Sequence, residues 1–419
     1  MSVSSRLICA RRWLAVLALA AGAAVRAAAP APAWSPSWMA SPQPTWAAGF
    51  VLPTQVPDRL ARVTVREVAR VSIGGPRVRV VLSNAYGREP LRVGAASVAL
   101  PRGDGPAVRP GTLQALTFGG QSSVVIPPGG QVLSDPADLA VEPLGHVAVS
   151  VYLPGDTPLR SFHWEGRRHA WLAAGDATRQ TALDPAATLT AHLLLAEVRV
   201  QTPQPAPVVV ALGDSITDGA GSTLNADRRW PDFLAARVAP RGVAVLNAGI
   251  SGARLLRDGM GVNALARLDR DVLAHRNVQS VIVLLGINDI SWPGSAFVPA
   301  GVPPSVDELV AGYRQLIGQL RARGVRVIGA TLTPFQGALR GSSITGYYSA
   351  DKEALRQALN QWIRESGEFD AVLDADAALR DPALPAQLLP RFDSGDHLHP
   401  GDAGYRALAG AIDVRTLLP

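Results

Sequence analysis

Ser215 follows the apolar run Val208-Val209-Val210-Ala211-Leu212 and the break Gly213-Asp214. The run reads as a fully buried strand, and Gly213 lets the backbone turn sharply after it. A hydroxyl at the C-terminal lip of such a strand, near a helix N-terminus, is placed for nucleophilic attack. It is equally placed to cap the next helix. A nucleophilic serine needs a base, the base needs an orienting group, and a developing oxyanion needs donors. Asp396 and His399 lie in Asp393-Ser394-Gly395-Asp396-His397-Leu398-His399-Pro400. At that spacing on a tight loop the carboxylate can reach the imidazole Nδ1–H and leave Nε2 facing the serine. The alternative is an Asp-rich turn capping the final helix. Two more segments lead to the same lip. Gly252, in Asn247-Ala248-Gly249-Ile250-Ser251-Gly252, can turn its N–H toward a bound carbonyl oxygen, and Asn288, in Leu285-Gly286-Ile287-Asn288-Asp289, brings a side-chain amide. With the Ser215 N–H they make three convergent donors. Singly, Gly252 is also a helix-entry glycine and Asn288 a turn-satisfying amide.

The elements that must hold these groups alternate after residue 207. Strands are expected at 208–212, 243–246, 280–285, 325–330 and 371–373, with helices at 230–238, 263–274, 306–323, 351–365 and about 400–412. Five strands separated by helices imply a parallel sheet covered on both faces, a three-layer α/β sandwich of doubly wound, flavodoxin-like order. From 34 to 200 the pattern is instead short strands and turns, among them 62–71, 77–82, 122–126, 146–153 and 192–200, which suggest an antiparallel β-sandwich. The Pro-rich stretch 201–207 is the expected boundary, giving a β-rich domain at 34–200 and an α/β domain at 208–419.

The segments around Gly213-Asp214-Ser215, Gly252, Gly286-Ile287-Asn288-Asp289 and Asp396-His397-Leu398-His399-Pro400 resemble, in order, the four blocks of the SGNH (GDSL) hydrolases. The resemblance covers about 205–419. It implies Ser215 as nucleophile, His399 as base, Asp396 as its orienter, and Ser215, Gly252 and Asn288 as the oxyanion hole. The β-rich half is similar to domains found ahead of some secreted bacterial members. The implied activity is that of a serine esterase working through an acyl-enzyme, with no cofactor and no metal. Removal of short acyl groups such as acetyl from a carbohydrate, free or polysaccharide-linked, is the favoured form. The alternatives are a lipid or lysophospholipid esterase, a sugar O-acetyltransferase, and a binding protein whose α/β half is scaffold.

Composition bounds the setting of this 419-residue chain. Arg6, Arg11 and Arg12 precede an apolar stretch at 13–24 and the small residues Ala27-Ala28-Ala29, the pattern of a secretory signal at 1–29. Bacterial export, to the periplasm or the outside, is the implied location. The formal charge of +6 falls to about +2 when Arg6, Arg11, Arg12 and Arg26 leave with that segment. The remaining cations are scattered, and Lys352 is the only lysine, so no nucleic-acid footprint emerges. No later run suits integral membrane association. The one cysteine, Cys9, lies in the leader. His146, His163, His169, His192 and His275 lack the spacing of a metal cluster. Asp218 and Asp289 read as turn and cap groups. His163-Trp164 and Trp171 could stack on a sugar, although tryptophans in such a chain are mostly core. The Pro- and Gly-rich stretch 291–304 is either a loop over the site or a plain crossover insertion. Oligomeric state is not encoded in any recognisable pattern.

Overall fold

The computed structural model describes residues 32–418; the leader expected at 1–29 lies outside the described residues. Each expected apolar run after 207 is a strand, and the five pair in parallel in the spatial order Ala244–Gly249, Val208–Gly213, Val278–Leu284, Arg326–Ala330, Ala371–Leu373. All six residues of Val208–Gly213 are buried, as a strand covered on both faces requires. The first strand connects to its neighbour on one side, and the chain then crosses to the other side. Ser215 therefore stands at the switch point of the strand order, where open α/β sheets leave a crevice.

Helices fill the crossovers, Trp230–Val238, Val306–Arg321 and Ala350–Glu365, and Asp402–Ala411 follows the last strand. Val306–Arg321 shows why its sequence folds so. Ser305 and Glu308 form a reciprocal capping box, and Leu309, Tyr313, Leu316, Ile317 and Leu320 bury one stripe. The helix expected at 263–274 differs. It runs as Ala264–Leu268 and then widens into a single π turn, Asp269–Leu273. There Asp271 accepts from both Arg267, at 2.9 Å, and Arg270, at 2.6 Å, while fully buried Arg267 also donates to the carbonyls of Ala248 and Gly213. Meeting those carbonyls at two strand ends takes precedence over a regular helix.

The β-rich half holds two larger antiparallel sheets. One has the order Ala33–Met39, Leu195–Thr202, Val78–Ser83, Gln131–Leu133; the other has Arg59–Arg70 and His146–Pro158 at its centre. Their facing valines share one continuous apolar core with the parallel sheet, running from Val198 and Val200 through Ala206 to Val208–Leu212. The strand Leu195–Thr202 extends into the stretch expected as a linker, and Ser35 Oγ accepts from the Ala206 N–H at 2.9 Å. Ala244–Gly249 is an edge strand of the parallel sheet. Its Val245 N–H is taken by Ser72 Oγ of the β-rich half at 3.1 Å, which caps a polar edge that would otherwise invite pairing.

Candidate active site

Gly213 ends the first strand where a side chain would not fit: a Cβ there would lie 2.1 Å from Thr217 Oγ1 and 2.6 Å from the Leu284 carbonyl. The chain can therefore turn tightly into the one-turn helix Ser215–Asp218, capped by Asp214, whose carboxylate accepts from the Ile216 N–H at 3.0 Å. Burial lifts the Asp214 pKa to about 7. The turn presents Ser215 Oγ at the sheet lip, 2.8 Å from His399 Nε2. His399 Nδ1 meets Asp396 Oδ2 at 2.6 Å, and Asp396 Oδ1 accepts from the backbone N–H groups of Leu398 and His399. Burial raises the Asp396 carboxyl, but its hydrogen bonds and the His399 charge outweigh that and hold it well below the usual carboxylate range. Burial likewise lowers the His399 imidazole, yet Asp396 prevails and its pKa is raised. His397, two residues away, turns to Asp393 at 2.6 Å with half its side chain exposed.

Gly252 has φ +72°, and a Cβ there would lie 2.7 Å from Met260 Sδ and 2.8 Å from the Trp292 ring, so both conformation and space demand glycine. Among the described residues neither its N–H nor that of Ser215 has a hydrogen-bond acceptor. Both residues line one cleft with Asn288. The Asn288 Nδ2 gives one N–H to the Ala253 carbonyl at 3.0 Å, and its Oδ1 accepts from the Tyr347 hydroxyl at 2.7 Å. Those two bonds fix which way the amide faces and leave the second N–H free for a bound oxygen. The structure thus brings Ser215, Gly252, Asn288, Asp396 and His399 together at one cleft.

Several residues of the site are not evident from local sequence. Asp218 is buried and accepts from the Ser251 N–H at 2.9 Å, just before Gly252. Its other oxygen meets His163 Nε2 at 2.8 Å. Burial lowers the His163 pKa, and the Asp218 charge more than restores it. Buried Gln43 joins the Met260 carbonyl to the Trp164 N–H, at 2.7 Å and 2.9 Å. The β-rich half therefore braces the turn that carries Gly252 and adds Trp164, Glu165 and Leu52 to the cleft wall. The sequence shows only His163 beside Trp164; the pairing of His163 with a carboxylate 55 residues on is not visible there.

Other expectations resolve as follows. Asp289 caps a turn, accepting from the N–H groups of Leu255 and Leu256 at 2.7 Å and 2.9 Å. The stretch 291–304 does reach the site, supplying Trp292 and Phe297, which stack at 4.3 Å. Trp171 does not; it packs in a separate cluster with Val68, Ala99 and Ala148. The histidines disperse to different partners, His146 to Asp227, His169 to Asn225 and His192 to Glu67.

Residues 211–407 match the family model described as GDSL-like Lipase/Acylhydrolase family. Among solved structures, the chain is similar to a GDSL-like lipase from Bacteroides thetaiotaomicron at 18% identity, over 50% of this chain and 87% of that one, with a TM-score of 0.37. It is similar to the acetyl xylan esterase AlAXEase at 19% identity, over 49% and 96%, with a TM-score of 0.35. A mutant of Axe2, an acetyl-xylooligosaccharide esterase from Geobacillus Stearmophilus, is similar at 23% identity, over 50% and 94%, with a TM-score of 0.38. A comparison with curated proteins finds no match.

The Tyr347–Asn288 bond generates a test. Tyr347→Phe keeps the ring and removes the donor, so the amide is free to turn away. We expect kcat on an activated ester to fall about 10-fold, less than loss of an oxyanion donor outright, with KM changing much less. Steady-state kinetics decide it: an unaltered kcat would mean that Asn288 needs no such restraint.

Proposed function

We propose that this chain, whose residues 211–407 match the GDSL-like lipase/acylhydrolase family model, is a carboxylic ester hydrolase, that Ser215 is its nucleophile and that the reaction runs through an acyl-enzyme. His399 Nε2 takes the Ser215 proton as Oγ attacks the ester carbonyl. Asp396 holds the imidazole in the right tautomer and stabilises the imidazolium that forms. The oxyanion is received by the N–H groups of Ser215 and Gly252 and the Asn288 amide. His399 then protonates the departing alcohol, and water, activated by the same imidazole, releases the acid. The observation that carries this reading is the unbroken series Asp396–His399–Ser215, at 2.6 Å and 2.8 Å, opening on a cleft with unpaired N–H donors.

For the substrate we propose a short acyl group, acetyl, on a carbohydrate. The cleft has a volume of about 270 Å³, small among ligand pockets, and its aromatic walls at Trp164 and Trp292 suit the apolar face of a sugar ring. A lipid ester is the second reading, favoured by Leu52, Met260, Leu339 and Ile344 on the same walls. Bacterial export is the proposed location, on the strength of the 1–29 pattern. No helix among the described residues is long and apolar enough to cross a membrane. A series of esters from acetyl to long-chain acyl separates the two readings: we expect kcat/KM to be highest for acetyl, and a rise with chain length would favour the lipid ester.

Ser215→Ala is expected to lower kcat by roughly 10⁴, and retention of a tenth of the activity would remove Ser215 from the mechanism. His399→Ala should abolish turnover while His397→Ala is mild, because His397 faces Asp393 at the surface. The reverse ranking would identify a different base.

The pH profile follows from the same pair. Only the neutral imidazole accepts the Ser215 proton, and Asp396 raises the His399 pKa above 6.5 against the effect of burial. Hence kcat/KM should fall with decreasing pH, with its midpoint above 6.5. A rate constant flat down to pH 5 would contradict a histidine base.

A further inference from the structure

Glu165 is a side chain that the acyl chemistry leaves unused. It belongs to the β-rich half, yet it lines the cleft with Ser215, Gly221 and His399. Only 16% of its side chain is exposed, and Oε1 accepts from Arg167 Nη1 at 3.1 Å. Arg167 is itself fixed, donating to the Ser222 carbonyl. Among the described residues Oε2 has no hydrogen-bond partner and is not fully buried, in a side chain that lines the cleft. A mostly buried carboxylate oxygen with no protein donor gains from a ligand that brings one. Burial raises the Glu165 pKa, with the nearby Asp218 charge adding to it, the mark of a group poorly served by its own surroundings. Trp164, the preceding residue, offers an aromatic wall to the same space.

The pairing with Arg167 decides what kind of donor fits. A lone carboxylate among aromatic rings would attract a cation. Here the guanidinium already balances the charge, so the open oxygen offers hydrogen-bond acceptance with little net field. An anionic headgroup would meet an oxygen with nothing to donate. A neutral hydroxyl meets its complement.

We propose that Glu165 is a specificity-determining residue whose Oε2 accepts a hydrogen bond from a free hydroxyl on the alcohol part of a neutral sugar or polyol ester, while the acyl group lies at Ser215. The inference rests on the esterase reading above and assigns recognition of the alcohol to the β-rich half. A substrate held this way must carry at least one unacylated hydroxyl beside the ester.

The test compares three acetyl esters on the full-length enzyme: a monoacetylated methyl glycoside with free hydroxyls, 4-nitrophenyl acetate and acetylcholine. The readout is the ratio of kcat/KM for the glycoside to that for 4-nitrophenyl acetate, from which the fraction of active enzyme cancels. Glu165→Ala is expected to lower the ratio about 10-fold or more, as loss of a hydrogen bond to a charged group does. Glu165→Gln keeps an acceptor oxygen at the same reach and should hold the ratio to within about threefold. An unchanged ratio in Glu165→Ala overturns the inference and leaves the esterase reading standing. So does a wild-type enzyme that cleaves the nitrophenyl ester and not the glycoside. A preference for acetylcholine lost equally in both variants would make this a cation site and overturn it too. Failure of the wild type to cleave any ester would overturn the esterase reading itself.

Discussion

A carboxylate cannot be buried without partners, and Asp218 finds its partners on both sides of the molecule. One oxygen meets His163 from the β-rich half, and the other gathers the backbone and hydroxyl of Ser251. His163 is anchored in turn, its Nδ1 3.0 Å from the Ser41 carbonyl. The turn that aims the Gly252 N–H into the cleft is thus held by a charge whose balance comes from more than 50 residues earlier. Removing the β-rich half would strand that charge beneath the proposed oxyanion hole. Gln43 and Ser72 add buried bonds of the same kind, to Met260 and Val245. The proposed chemistry, written wholly after residue 207, therefore depends on residues written before it.

What is legible in the sequence is whatever one segment can specify by itself. The five parallel strands are short runs of β-branched and aliphatic residues, and burial on both faces leaves them no other pattern. The blocks at Ser215, Gly252, Asn288 and Asp396–His399 are legible because each needs a particular residue type at a particular chain turn. Gly252 illustrates this, since both its φ and the Met260 and Trp292 contacts exclude a Cβ. Pairings across the fold are not legible. Tyr347 acts on Asn288 from 59 residues away, and nothing beside it in sequence separates it from an ordinary core tyrosine. His163 is hidden in the same way, because a satisfied core histidine and one that pairs an active-site acid look alike until the sheets are assembled. The π turn at Asp269–Leu273 belongs with these, as it answers to strand-end carbonyls that Arg267 must reach.

The cleft is divided by origin. Ser215, Gly252 and Asn288 follow strand ends of one sheet and Asp396 and His399 lie on the loop before Asp402–Ala411, whereas the walls come from separate connections: Trp164 and Glu165 from one half, Trp292 and Phe297 from 291–304, and Leu339, Ile344 and Tyr347 from the segment after Arg326–Ala330. The sheet fixes Ser215, and the Asp396 hydrogen bonds to the Leu398 and His399 N–H groups fix the loop that carries the imidazole, to the tolerance that proton transfer needs. Loops, which change more freely, define what is held against them. Tyr347 belongs to both sets, since its ring forms wall and its hydroxyl orients the Asn288 amide.

The electrostatics of His399 set the last constraint. Burial favours its neutral form, while Asp396, Glu165 and Asp214 all favour the imidazolium. Some bias toward the cation is useful, because in the proposed mechanism the imidazolium forms as Ser215 loses its proton. Too much would leave the base already protonated at neutral pH and unable to begin. The surroundings restrain two of the three acids. Burial brings Asp214 to about 7, so that near neutral pH it carries only part of its charge. Arg167 sits against Glu165 and offsets its field. Asp396 stands in direct contact with Nδ1, where it steers the tautomer as well as the proton affinity. The ion pair supplied by the β-rich half thus serves the base as well as the cleft wall: it lets an acid stand close enough to bind a substrate hydroxyl without driving His399 out of its working form.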